Sequence, residues 1–129
     1  MRKIPKECRL SAAAHQTNVD PSVLVYDVGG SHISAAVCHK QGFRLDSIVK
    51  ATPPAEQTSA AFVDVLYSLG MKASEGIAGI EGAEFAMPGP FDYEKGISWM
   101  KHKMPYLYGI NVSEALAPRF SWKPARYAS

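Results

Sequence analysis

Hydrophobic and polar positions alternate along this chain in blocks of different period. Val23-Leu24-Val25-Tyr26 is an unbroken apolar run, the pattern of a strand buried on both faces. It stops at Asp27-Val28-Gly29-Gly30. Ile33, Ala35 and Val37 then alternate with Ser34, Ala36 and Cys38, which predicts a second strand. After a turn at Gln41-Gly42, Phe43, Leu45 and Val49 share one face of a third strand, and Arg44, Asp46 and Lys50 the wetter one. Short connections make these three an antiparallel meander. Thr52-Pro53-Pro54 breaks the alternation, with proline suited to a first helical turn. The period then turns helical. Phe62, Val65, Leu66 and Leu69 predict a helix over about 56–70, with Gly70 as its C-cap. A fourth strand is expected over 83–87, closed by Met87-Pro88-Gly89-Pro90. Tyr93-Glu94-Lys95-Gly96 reads as a turn before a short strand over 97–100. Asn111-Val112-Ser113-Glu114 has the spacing of a capping box, so a short helix should follow and end before Pro118. Residues 125–128 begin a further strand. The order β-β-β-α-β, then loop, strand and helix, predicts an α/β fold built on a mixed sheet. Residues 1–21 show neither period and read as an irregular extension ending at Asp20-Pro21.

Composition narrows the class. The chain has 129 residues, which as a prior means one domain. Apolar residues make up 47% and charged residues 20%, so a disordered chain or a disulfide scaffold is excluded. No run approaches the roughly 18–20 apolar residues of a membrane span, so no membrane is expected as partner. The net charge is only +2, and its basic part sits on the tails, at Arg2, Lys3, Lys6 and Arg9 and again at Arg119, Lys123 and Arg126. Residues 10–118 hold seven basic against eleven acidic side chains, so no nucleic-acid partner is expected. The extension is also too short for a helix-turn-helix module. Cys8 and Cys38 form no framework, and no apolar stretch follows the basic N-terminus. A reduced, cytoplasmic setting is the expectation.

Two loops could carry chemistry. Asp27-Val28-Gly29-Gly30-Ser31 lies between two strands. Glycines let backbone N–H groups approach a phosphate closely, and the Ser31 hydroxyl adds a donor. Asp27, at the end of a buried strand, could hold Mg²⁺ through water. The same residues also make a plain two-residue hairpin, and spacing alone leaves both readings open. In the second loop, Gly89 is stiffened between Pro88 and Pro90, which could aim its N–H at a ligand or simply end a strand. Neither G-x-x-x-x-G-K-[ST] nor G-x-G-x-x-G occurs, since Gly76, Gly79 and Gly82 are spaced differently. His15, His32, His39 and His102 do not converge on a metal spacing. Trp99 and Trp122 read as core or partner-facing.

With both loops in view, the chain resembles the ROK family of bacterial sugar kinases and repressors. Residues 23–33 look like that family's D-x-G-G-T-K phosphate motif. Ala51-Thr52-Pro53 resembles the Thr-Pro after its third strand. Phe85-Ala86-Met87-Pro88-Gly89-Pro90 with Gly96-Ile97 is similar to its P-G-P…G-I loop, and residues 108–116 resemble its W-x-x-V-x-L helix start. The resemblance implies an actin-like ATPase fold with an RNase-H-like sheet. It implies transfer of the ATP γ-phosphoryl group to a hexose hydroxyl with Mg²⁺. By that resemblance Asp27 would assist the metal, Gly29, Gly30 and Ser31 would hold phosphates, and Gly89, Pro90 and His102 would contact the sugar. ATP and a small sugar are then the partners. Ser31 stands for the usual Thr and His32 for a frequent Lys or Asn. Residues 22–129 would be a first lobe that stops before the family's Asn-Asp, its zinc-binding His/Cys motif and its adenine site. Such a lobe would lack its catalytic base, be inactive alone, and self-associate or need a C-terminal lobe. The alternatives are a sugar-responsive regulator of the same family and a non-catalytic binding domain.

Overall fold

The apolar runs come together as neighbouring strands of one sheet. The computed structural model describes residues 21–41, 44–120, 122 and 124–128. Strands β1 (Ser22–Val28), β2 (Ile33–His39) and β3 (Arg44–Ala51) form the expected antiparallel meander. Helix α1 (Ser59–Ala73) then carries the chain across one face, so that β4 (Ile80–Ala86) returns parallel to β1. Strand β7 (Pro124–Ala128) lies parallel to β4, giving the order β3-β2-β1-β4-β7. Between β4 and β7 come a small hairpin of β5 (Phe91–Asp92) and β6 (Ile97–Ser98), a 3-10 turn (Pro105–Leu107) and helix α2 (Val112–Leu116). No helix among the described residues is long and apolar enough to cross a membrane.

Strand β1 is buried along its whole length because it lies at the centre of the sheet, between β2 and β4, with residues packed on both faces. Leu24, Tyr26 and Val28 face α1 and the main core, while Val23 and Val25 face Ala36 and Cys38 on the other side. One aromatic ring from each of three adjacent strands forms a ladder. Tyr26 stacks on Phe85 at 4.7 Å, and Phe85 on Tyr127 at 5.4 Å. The register Tyr26–Phe85–Tyr127 puts those rings side by side on one face.

Four sequence expectations shift. Helix α1 begins at Ser59 rather than near 56, because Thr58 is its N-cap and its hydroxyl accepts from the Ala61 N–H at 3.1 Å. Pro53 and Pro54 therefore lie in the preceding loop. The helix also runs past Gly70 to Ala73, with Ser74 as its cap. Gly70 is buried inside it, where a Cβ would stand 2.4 Å from the Tyr26 hydroxyl. Leu45 and Val49 do not share a face. A bulge between the pairs Ala35–Val49 and Val37–Asp46, with Ser47 at φ 59, switches the strand over, so Leu45 joins Val23 and Val25 while Val49 joins the helix side. Cys38 is disulfide-bonded, against the expectation of reduced thiols, and its partner lies outside the described residues. The extension over 1–21 lies outside them too, apart from Pro21.

Candidate functional site

Parallel pairing of β1 and β4 decides where the loops meet. Asp27 stands beside Ala86 in the register, so the loops after both strands leave from the same edge of the sheet. Ligands in open α/β sheets bind outside the carboxyl ends of such strands.

The first loop is a tight turn in which the Gly29 N–H donates to the His32 carbonyl at 2.9 Å. A Cβ on Gly29 would meet that carbonyl oxygen at 3.1 Å, a tight contact that the turn would have to relax to accept, so the turn favours glycine here. Gly30 is different. A Cβ there would meet nothing within 4 Å, and its φ is not in the left-handed region. The protein does not need glycine at position 30 for its own packing. The open space is a cradle that a side chain would fill. A cavity of about 450 Å³ lies over it, lined by the predicted Asp27, Gly29, Gly30 and Ser31 together with His32, Ser34 and Lys50. Asp27 is 5% exposed, and the Ser31 hydroxyl lies 3.2 Å from His32 Nδ1. Lys50 was missed in the sequence as a site residue. Its signal was its place on the wet face of β3, but only the register, which sets it opposite Ser34, brings it to the turn.

This cavity suits a nucleotide's phosphates. Backbone N–H groups, a hydroxyl and an ammonium are donors for phosphate oxygens. Mg²⁺ is held by one or two carboxylates plus phosphates, a demand that Asp27 alone meets. No cluster of three His, Cys, Asp or Glu occurs among the described residues.

The second loop carries a cis peptide at Gly89–Pro90. It is tied down at both ends. The Tyr93 hydroxyl donates to the Met87 carbonyl at 3.0 Å, and the Trp99 N–H donates to the Pro90 carbonyl at 3.0 Å. Gly96, at φ +75, closes the hairpin where a Cβ would come within 3.0 Å of the Tyr127 ring. The result is a cavity of about 330 Å³ lined by Gly89, Pro90 and His102, the three residues expected to contact sugar, with Trp99, Lys101 and Lys103 beside them. Trp99 is 43% exposed rather than core. Trp122 is half-buried and packs edge-on against Phe120 at 5.1 Å.

A third cavity, of about 300 Å³, lies between α1 and α2. Arg119 pairs there with Asp64 and lies over the Tyr67 ring at 4.6 Å, which pins the chain after α2 to α1.

The mixed sheet with helices against it is that of the actin-like ATPase fold, and solved structures of that fold match this chain. A ROK family glucokinase from Streptomyces griseus, in complex with glucose and AMPPNP, matches with a TM-score of 0.71 at 22% identity, over 82% of this chain and 32% of that one. A ROK hexokinase from Thermus thermophilus matches with a TM-score of 0.68 at 25% identity, over 82% and 34%. A ROK family transcriptional regulator, a homolog of the E. coli MLC protein, matches with a TM-score of 0.66 at 15% identity. The chain has the fold of these ROK proteins and spans about a third of their length. No family model matches it. No curated protein matches it either.

Proposed function

We propose that residues 22–129 are the first lobe of an ATP-dependent, ROK-type hexose kinase, with the phosphate loop at 27–31 and the sugar loop at 87–90. The observation that carries this reading is the open cradle at Gly30, on the same sheet edge as the Gly89–Pro90 cavity. Phosphoryl transfer is mostly positioning and charge neutralisation. The Gly30 N–H and the Ser31 hydroxyl would hold phosphate oxygens, while Gly29, whose own N–H is taken by the His32 carbonyl, would shape the turn. Lys50 would offset their charge, and Asp27 would hold Mg²⁺ through water. When bound, the metal neutralises charge that develops on the phosphates. Gly89, Pro90 and His102 would orient the hexose. The attacking sugar hydroxyl must lose a proton, and among the described residues Asp27 is the only carboxylate lining either cavity. With Asp27 committed to the metal, this chain would bind both substrates without turning them over.

Calorimetry of the 129-residue chain with Mg-ADP is the direct test. Binding in the millimolar range or tighter is expected, and Gly30→Val should weaken it at least about tenfold, because the branched side chain fills the cradle. The variant should keep its circular dichroism and melting temperature. Equal binding by both proteins would remove the phosphate loop from the reading. The regulator match favours a second reading, in which sugar binds and nucleotide does not. Hexose binding without any Mg-ADP binding would select it.

A further inference from the structure

Ser31 carries the hydroxyl of the first turn, and its side chain is exposed. Serine has a single heavy atom on Cβ, so its χ1 stays open where a β-branched residue would be held. A hydroxyl has one proton to give. Given to a protein neighbour, that proton is lost to a phosphate oxygen. The neighbour that decides this is His32, whose Nδ1 lies 3.2 Å from Ser31 Oγ. The His32 backbone is anchored, because its carbonyl accepts from the Gly29 N–H at 2.9 Å. Its ring and the Ser31 hydroxyl both line the first cavity.

Two arrangements satisfy the contact. A bare Nδ1 accepts the Ser31 proton, and the hydroxyl then turns only lone pairs toward the cavity. A protonated Nδ1 donates to Ser31 Oγ, and the Ser31 proton is free to point at a ligand. An anion in the cavity is met by a donor only in the second arrangement, so it selects that one. The imidazolium always carries the Nδ1 proton and adds a positive charge to the cavity that Lys50 also lines.

We infer that His32 is the positioning residue of the phosphate turn, holding Ser31 Oγ through Nδ1–H so that the Ser31 proton is aimed at a phosphate oxygen. This rests on the phosphate-loop reading above and adds the residue that sets its hydroxyl. It also makes nucleotide binding tighten as the pH falls. The other charged side chains lining the cavity, among the described residues, are Asp27 at the end of β1 and Lys50 on β3. Carboxylate and ammonium groups ordinarily keep their charge between about pH 6 and about pH 8, where imidazole changes its own.

The test is calorimetry of Mg-ADP binding to the full 129-residue chain and its variants at two pH values. Asparagine offers an amide N–H near the Nδ1 position but does not titrate. His32→Asn should therefore bind within about twofold of the unaltered chain at about pH 8, and about fivefold more weakly than it at about pH 6. Comparing the two proteins at one pH cancels the titration of the nucleotide itself. His32→Ala should weaken binding about fivefold at about pH 8, the size of one hydrogen bond. In a Ser31→Ala background the same change should cost less than about twofold, since no hydroxyl is left to position. Nitrogen NMR of the His32 ring should show Nδ1 becoming protonated as Mg-ADP binds. His32→Ala binding as tightly as the unaltered chain at both pH values would overturn the inference and leave the phosphate loop standing. An equal cost with and without the Ser31 hydroxyl would overturn it in the same way. No Mg-ADP binding by the unaltered chain would take down the phosphate loop and this inference together.

Discussion

Lys50 is ordinary in sequence, one polar position on an alternating strand. It gains a possible task only because β3 pairs with β2 in a register that sets it opposite Ser34, beside the Gly29–His32 turn. It is exposed and pairs with no acid among the described residues, so the fold has little need of its charge. Lys50→Met should therefore leave the melting temperature unchanged and weaken Mg-ADP binding about fivefold, with a smaller effect at high salt. Calorimetry at two ionic strengths checks this, and an unchanged affinity would mean that the ammonium does not face phosphate. Gly29 and Gly30 show the limit of reading at this scale. Identical in sequence, they differ in what surrounds them: a carbonyl oxygen crowds the first and nothing stands near the second. The pair reads equally well as hairpin or as phosphate loop until that difference is seen.

Helix α1 shows what a periodic pattern conveys and where it fails. The stripe of Phe62, Leu66 and Leu69 was legible, and those residues are buried. By sequence position Gly70 predicts a helix stop. It is instead the point of closest approach between helix and sheet, where a Cβ would meet the Tyr26 hydroxyl at 2.4 Å and the Trp122 ring at 2.9 Å. Tyr26 cannot step aside, because its hydroxyl donates to the Leu66 carbonyl at 2.6 Å and its ring stacks on Phe85. Gly70→Ala should thus destabilise the protein by about 1–3 kcal/mol, the cost of overpacking, even though alanine is the better helix former by up to about 1 kcal/mol. Urea unfolding measures it, and a stabilised variant would show that the helix can lift off the sheet. The bulge in β3 was illegible for a related reason. Alternation assigns faces only while the register is unbroken, and Ser47 at positive φ breaks it.

Over the whole molecule, three tyrosines link packing to pH. Burial holds Tyr26, Tyr127 and Tyr106 above the ordinary phenol value of 10.0, and the hydrogen bond with Ser113 partly offsets this at Tyr127. The folded state keeps these protons where the unfolded chain would release them. Their contribution is complete below about pH 10 and lost as the pH rises beyond it. The urea midpoint should fall as the pH rises above about 10, and Tyr26→Phe should flatten that fall. A midpoint insensitive to alkali would contradict the burial of these rings.

The α/β class, the meander, the first helix and the two loop motifs were all present in the sequence, since each is set by local periodicity or by residues a few positions apart. The capping of α2 by Asn111, whose side chain accepts from the Glu114 N–H at 3.0 Å, was legible in the same way. Only the tertiary structure brought the two loops to one edge, placed Lys50 beside the Gly29–His32 turn, gathered Gly89, Pro90 and His102 around one cavity and left Trp99 open beside it. Those facts depend on parallel pairing between β1 and β4, more than fifty residues apart, and on a bulge that resets a register. Pairing of that kind is decided by the packing of the whole sheet, which no local pattern encodes.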